Sequence, residues 1–352
     1  MKRMLMIIVA ALAVFACGPK DGRVGGSAPP AVDTLDATND FYDNVPAQTL
    51  PPAGLTVDGE VADPGPVDLS GLPVRSVIVK EARLDDDGSN RFVGAYRYDG
   101  YSLFDILNRV KVRKKNEREF SPVVDLFVEV ANDEGEKVVF SWGEIFYPND
   151  LHKILIASSV MRIVPTKSKD LWPLPDASKI VAGRDLLTER NISRPTRLTV
   201  RSLDASFPAA PAGAAPEGVR GVKVVDRAGA ERPLTIPPDA KLQTYQTVFY
   251  GRGRGIHSTT PFTGQLLKDV LAPWCPQTRD AIRRDVFTVA ALDGYRIAMT
   301  YAEVFNRNDQ QEFLLVDLPG GDEGGGFRIF PACDFFSDRS IKSVSEIRTE
   351  SR

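Results

Sequence analysis

FRIFPACDFFSDRSIKSVSEIRT, Phe327 to Thr349, repeats SKIVAGRDLLTERNISRPTRLT, Ser178 to Thr199. Ile180, Asp185, Arg190, Ile192 and Leu198 fall on Ile329, Asp334, Arg339, Ile341 and Ile347 at one constant separation of 149 residues. Leu186 and Leu187 fall on Phe335 and Phe336 without a gap. Self-similarity over such a length marks a duplicated structural unit, and it has to be read before any single element.

Two further blocks extend the repeat upstream. Gly100, Leu103, Asp105 and Leu107 match Gly264, Leu267, Asp269 and Leu271 at a separation of 164. Leu103, Ile106 and Leu107 stand at helical spacing, so this block predicts one short amphipathic helix per copy. Val128 to Asp150 matches Phe287 to Asp309 at a separation of 159, with Trp142-Gly-Glu-Ile-Phe over Tyr301-Ala-Glu-Val-Phe. Two strands joined by a glycine turn precede it in each copy, Phe127 to Ala131 with Lys137 to Phe140, and Val286 to Ala290 with Arg296 to Met299. The separation falls only across turn-rich gaps, as loop insertions would produce. The fold class expected is α+β, with two tandem mixed, β-rich domains.

Lys2 and Arg3 precede an apolar run from Met4 to Phe15. That run is too short to span a bilayer, which takes roughly 20 residues, so residues 1–16 read as a signal peptide. Val14-Phe15-Ala16-Cys17 resembles the lipobox of bacterial lipoproteins, which implies a diacylglycerol on the Cys17 thiol and a lipid-anchored protein. Gly18 in place of an aspartate implies, by the same likeness, the outer membrane facing the periplasm. Residues 17–53 then form the lipidated cysteine and a flexible tether rich in Gly, Pro, Ala and Asp. The first domain is expected over 54–202, a Pro/Ala-rich linker over 203–218, and the second domain over 219–352.

Loss of Lys2 and Arg3 takes the 44 basic residues to 42 against 47 acidic ones, a net charge of −5. A mildly acidic chain presents no field for nucleic acid. Cys275 and Cys333 are an even pair in an oxidising compartment, either joined as a disulfide or buried as separate thiols. Leu84-Asp-Asp-Asp-Gly-Ser-Asn90 lacks the alternation of a calcium loop and reads as a hairpin turn. Gly320 to Gly326 reads as a hairpin tip, and Lys111 to Arg118 as a solvated basic face after a helix. His152 and His257 stand at unmatched positions and read as structural. The recurring Asp185–Arg190 and Asp334–Arg339 pairs read as bridges closing the last loop of each copy. Tyr250-Gly-Arg-Gly-Arg-Gly-Ile-His257 offers backbone N–H groups and two guanidiniums, Arg252 and Arg254, to an anion. No nucleophile elbow, phosphate loop or zinc spacing is present.

The order of blocks, with Phe327-Arg-Ile-Phe-Pro331 and the closing Arg339-Ser-Ile-Lys342 before a last strand, resembles the molybdopterin-binding domain of the sulfite oxidase family. The likeness covers most of Leu234 to Thr349 and, more weakly, Gly54 to Val200, where Ser193 stands in place of the lysine. It implies that Arg339 and Lys342 join Arg252 and Arg254 as anion or pterin contacts. It also implies a cysteine thiolate on molybdenum, and this chain has Phe249 at that place. The expectation is a non-catalytic binding or scaffold lipoprotein that holds a protein partner or small anionic ligand. The competing reading is a molybdenum-cofactor oxidoreductase with its cofactor in the C-terminal domain.

Overall fold

In the computed structural model, which describes residues 45–165, 167–207, 221–318 and 326–352, the duplication is visible strand by strand. The first module runs β1 (Gln48–Thr49), β2 (Thr56–Gly59), β3 (Gly65–Pro66), β4 (Arg75–Leu84), β5 (Asn90–Ser102) and α1 (Leu103–Leu107). It continues with β6 (Leu126–Asn132), β7 (Lys137–Ser141), α2 (Trp142–Phe146), β8 (Ile154–Arg162), β9 (Lys179–Ala182) and β10 (Pro195–Ser202). The second runs β11 (Lys223–Val225), β12 (Glu231–Pro233), β13 (Leu242–Tyr245), β14 (Phe249–Gly251), β15 (Gly255–Ser258), β16 (Phe262–Leu266) and α3 (Leu267–Leu271). Then come α4 (Arg279–Arg284), β17 (Asp285–Ala291), β18 (Arg296–Thr300), α5 (Tyr301–Phe305), β19 (Phe313–Leu318), β20 (Gly326–Pro331) and β21 (Val344–Ser351).

One sheet has the order β3-β2-β10-β6-β7, and its counterpart has β12-β11-β21-β17-β18. In each, the first strand pairs parallel with the last, Val57 opposite Leu198 and Val224 opposite Ile347. The other sheet has β4-β5-β8-β9 in the first module and β13-β16-β19-β20 in the second. The protein is therefore β-rich, and its helices are pieces of five or six residues that cap strands. Short as they are, α1 and α3 bury the predicted stripes, Leu103, Ile106 and Leu107 in one and Leu267, Val270 and Leu271 in the other. The matched glycines, Gly100 and Gly264, sit where β5 passes close to β8 and β16 close to β19. A Cβ on Gly100 would collide with the Ile156 carbonyl and lie 2.7 Å from Ala157 Cα, and one on Gly264 would lie 2.9 Å from the Leu315 carbonyl carbon. Close backbone approach is why this position is glycine in both copies.

Alternation along the strands sends side chains to two different cores. Val128 and Val130 on β6, with Phe287 and Val289 on β17, join the large apolar cluster that runs through both modules. The opposite face of β6 and β17 meets the other module. Phe127, Val139 and Leu203 pack with Val286 and Ala298, and Phe127/Val286 and Val139/Ala298 are the same positions in the repeat. Backbone bonds cross the contact in matched pairs. Asn149 N donates to Cys333 O at 2.8 Å and Phe335 N to Tyr147 O at 2.7 Å. Their twins are Asn308 N to Arg184 O at 2.9 Å and Leu186 N to Asn306 O at 2.7 Å. Each bond recurs with the modules exchanged, as in an isologous two-fold contact.

Several expected boundaries shift. Residues 48–52 belong to the first module and not to a tether, because β1 pairs with β8 and Leu50 is fully buried beneath it. Leu203 is buried too, and the Arg296 guanidinium stands 5.9 Å from the Phe207 ring, so 203–207 is packed chain and not linker. Residues 208–220, like Cys17 with the rest of 1–44 and most of the 320–326 tip, lie outside the described residues. The basic run is not uniformly solvated. Lys114 turns inward, with its ammonium 2.6 Å from Asp125 Oδ1 and bonded to the Phe120 and Pro122 carbonyls. The Asp85–Ser89 segment is the tight β4–β5 turn expected, with Asp85 N bonded to Ser89 O.

At the start of β17, burial pushes the Asp285 carboxyl up to about 6 despite Arg227 nearby. An unfolded Asp titrates near 3.9, so the folded state holds this proton more tightly and loses stability as pH rises from about 4 through about 6. Two pKa units correspond to about 2–3 kcal/mol. Asp285→Asn should therefore gain about 2 kcal/mol over the parent at pH 7.5 and almost nothing at pH 4, read from urea melts at both pH values.

Candidate functional site

The strongest concentration of chemistry-bearing groups lies between the modules. β7 ends at Ser141 and β18 at Thr300, and each hydroxyl caps the helix that follows. Ser141 Oγ accepts from Glu144 N at 2.9 Å, while Glu144 Oε1 accepts from Ser141 N at 2.8 Å. Thr300 and Glu303 form the same capping box at the head of α5. The boxes face each other and exchange bonds. Ser141 Oγ donates to Glu303 Oε2 at 2.6 Å, and Thr300 Oγ1 donates to Glu144 Oε1 at 3.1 Å.

Onto each glutamate closes the arginine of the terminal block. Arg190 donates to Asp185 at 2.7 and 2.8 Å and to Glu144 at 2.8 and 2.9 Å. Arg339 donates to both Asp334 oxygens at 2.7 Å and to Glu303 Oε1 at 2.6 Å. Both guanidiniums are fully buried, at 2% and 0% exposure. Burial pushes Asp185 and Asp334 up against the pull of their arginines. Of the two facing glutamates, burial leaves Glu144 raised. For Glu303 the same burial is outweighed by Arg339 and by the short Ser141 bond, and it stays low. The gap beside Arg190, Glu144 and Glu303 measures about 10 Å³, room for nothing larger than a water. Paired and closed in, these groups are a joint between modules and offer no face to a substrate.

Arg339 is thereby corrected from a ligand contact to a buried strut. The expectation that the Asp–Arg pairs are bridges holds, with the addition that they bridge to a glutamate and brace the module contact. Sequence reading missed Glu144 and Glu303, although Ser141-x-x-Glu144 and Thr300-x-x-Glu303 each carry the capping-box spacing. Arg252 and Arg254 are exposed on the β14–β15 turn, Arg252 standing 3.6 Å from Asp338. Lys342 is exposed after the buried Ile341.

A cleft of about 310 Å³ opens beside that hairpin, between the 331–337 loop and Asn149 of the first module. Its walls combine aromatic side chains with Asn149, Gln246, Thr247 and Ser337. Tyr250 lies 5.7 Å from Phe335, which packs edge-on to Phe336 at 4.8 Å. Phe249, where the family resemblance places a metal-binding thiolate, stacks instead in a cluster with Phe262 and Phe330. The Arg328 guanidinium lies 5.6 Å from Phe249 and 5.5 Å from Phe262. Cys275 and Cys333 are separate buried thiols and not a disulfide. Cys275 Sγ lies 4.0 Å from Thr349 Oγ1, and Cys333 Sγ 3.4 Å from Asp334 Oδ1. Burial pushes both thiols up to about 12. The residues at this place, with Phe249 packed among aromatics where the thiolate would stand, do not fit a cysteine-ligated molybdenum centre. Among the described residues no group of three or more His, Cys, Asp or Glu is arranged to hold a metal.

The histidines serve locally. His152 Nδ1 is 3.0 Å from Ser102 Oγ and 3.4 Å from Asp105, its ring edge-on to Phe104. Burial lowers its pKa. His257 packs beside Phe249 at 5.5 Å. No protein-family model, no curated protein and no solved structure matches this chain.

Proposed function

We propose that the chain is a membrane-anchored binding or scaffold lipoprotein of the cell envelope, without a catalytic centre of its own. Its two fused modules are built on the molybdopterin-binding type of fold. The observation that carries this is the fate of the repeated Asp, Glu and Arg residues: in both copies the same bonds consume them in joining the modules. An acid–base or redox site needs titratable groups that a substrate can reach, and the cleft is lined by aromatic and neutral polar residues, its one carboxylate, Asp334, being held by Arg339. Aromatic surface with a few polar groups suits recognition of a partner or a small ligand.

The test is the metal and pterin content of residues 18–352 purified from a host that makes the molybdenum cofactor. Far less than one molybdenum per chain is expected. Near-stoichiometric metal and pterin would overturn the reading in favour of an oxidoreductase with an unusual ligand set.

A further inference from the structure

At the β14–β15 hairpin the two modules differ in strand pairing. In the first module β4 and β5 run unbroken to an exposed turn, and the end of β4 beneath it is tied down. Leu84 is buried, its N–H donates to Glu189 at 2.9 Å, and Arg279 from the second module donates to its carbonyl at 2.6 Å. In the second module the corresponding ribbon is cut. β13 and β16 stay in the sheet, while β14 and β15 pair only with each other as a separate two-stranded piece. Tyr250 stands opposite Ile256 across that ribbon, so both side chains share one face. Their exposures are 39% and 56%, and Phe335 at 52% and Val248 at 69% extend the same apolar surface along the cleft. Arg252 and Arg254 occupy the turn between the strands, both exposed.

We propose that this hairpin is a second, non-covalent membrane contact, seating the C-terminal module on an anionic lipid surface. Tyr250, Ile256, Val248 and Phe335 would enter the headgroup–acyl boundary, and Arg252 and Arg254 would meet lipid phosphates. Charge complementarity selects this occupant. Without residues 1–16 the chain carries 42 basic against 47 acidic residues, net −5, and is repelled by an anionic surface except where cations cluster on a tip. Size points the same way. Two strands of three and four residues are too small for a typical protein interface of about 800 Å² per partner, whereas lipid contact has no such threshold. Aromatic and aliphatic side chains flanked by arginine stems are the composition that partitions into the interface. Asp338, 3.6 Å from Arg252, is the nearest opposing charge and weakens the attraction without cancelling two arginines. Tyr250, Val248 and Phe335 also line the cleft, so the inference rests on reading that cleft as a recognition surface and names lipid as what it meets; vesicle partition is read separately from molybdenum content.

The experiment is co-sedimentation with vesicles. Residues 18–352 lack the lipid and keep the whole compact unit from Asp40 to Arg352. This protein should pellet with vesicles containing phosphatidylglycerol and stay in solution with pure phosphatidylcholine. Arg252→Gln with Arg254→Gln should weaken the partition about tenfold or more at unchanged melting temperature, both side chains being exposed. Tyr250→Ser with Ile256→Ser should weaken it comparably. Failure of the parent protein to bind phosphatidylglycerol vesicles, as expected if the surface takes a protein instead, would overturn the proposal. So would equal partition of parent and arginine variants.

Discussion

Arg339→Met is expected to destabilise the protein by about 3–5 kcal/mol, seen as a lower urea midpoint for the second module. The magnitude follows from what stays behind. The side chains of Asp334 and Glu303 are both buried, at 1% exposure, and take their strongest bonds from this guanidinium, at 2.6–2.7 Å. Without it, two carboxylates face each other in a dry joint with one hydroxyl donor, Ser141. Breaking a buried ion pair on one side is far more damaging than replacing the whole set by neutral groups. Adding Asp334→Asn and Glu303→Gln to Arg339→Met should therefore recover most of the loss. Arg190→Met should behave alike through Asp185 and Glu144. Because Ser141–Glu303 and Thr300–Glu144 cross between modules, each arginine variant should also split unfolding into two transitions, visible by calorimetry. An Arg339→Met protein as stable as the parent would show that the joint does not depend on its charges.

The repeat was legible because it is written in the residues that set backbone geometry. Gly100 and Gly264 have no room for a Cβ, and the Leu103 and Leu267 stripes face the core, so the two blocks align without any structure. Asp185–Arg190 and Asp334–Arg339 were legible as pairs for the same reason, being five residues apart on one loop. Their purpose was not. Glu303 lies 36 residues from Arg339, and Ser141 lies 162 from Glu303, and no periodicity encodes that separation. The family resemblance placed Arg339 on a pocket rim, but packing of the second module against the first covers it. Lys114 was hidden for another reason: a long side chain in a charged run can turn inward when one buried carboxylate, here Asp125, waits for it. Phe249 was the clearest departure from the family's pattern, and the structure gives it an aromatic cluster with Phe262 and Phe330.

Gly143→Ala should be destabilising by at least about 2 kcal/mol, against the usual direction for such a change. Gly143 is the second residue of α2, and glycine to alanine within a helix normally gains up to about 1 kcal/mol. Here the Arg339 guanidinium lies across the helix. A Cβ would overlap its Nη1 and Cζ and come to 2.5 Å from Cδ. The side chain is clamped by Asp334 and Glu303 and is fully buried, so it cannot swing to solvent. Relief requires lengthening bonds to two buried charges, each contributing about 1.5–3 kcal/mol, which exceeds the helix gain. The repeat supplies the control. Ala302 is the second residue of α5 and lines the small gap beside Arg190, so that copy accommodates the methyl. Ala302→Gly should then lose only the helix preference, about 1 kcal/mol. Urea melts of the two single variants decide the matter. If Gly143→Ala matches or exceeds the parent, Arg339 has slack, and the joint is looser than the bonds to Glu303 and Asp334 imply.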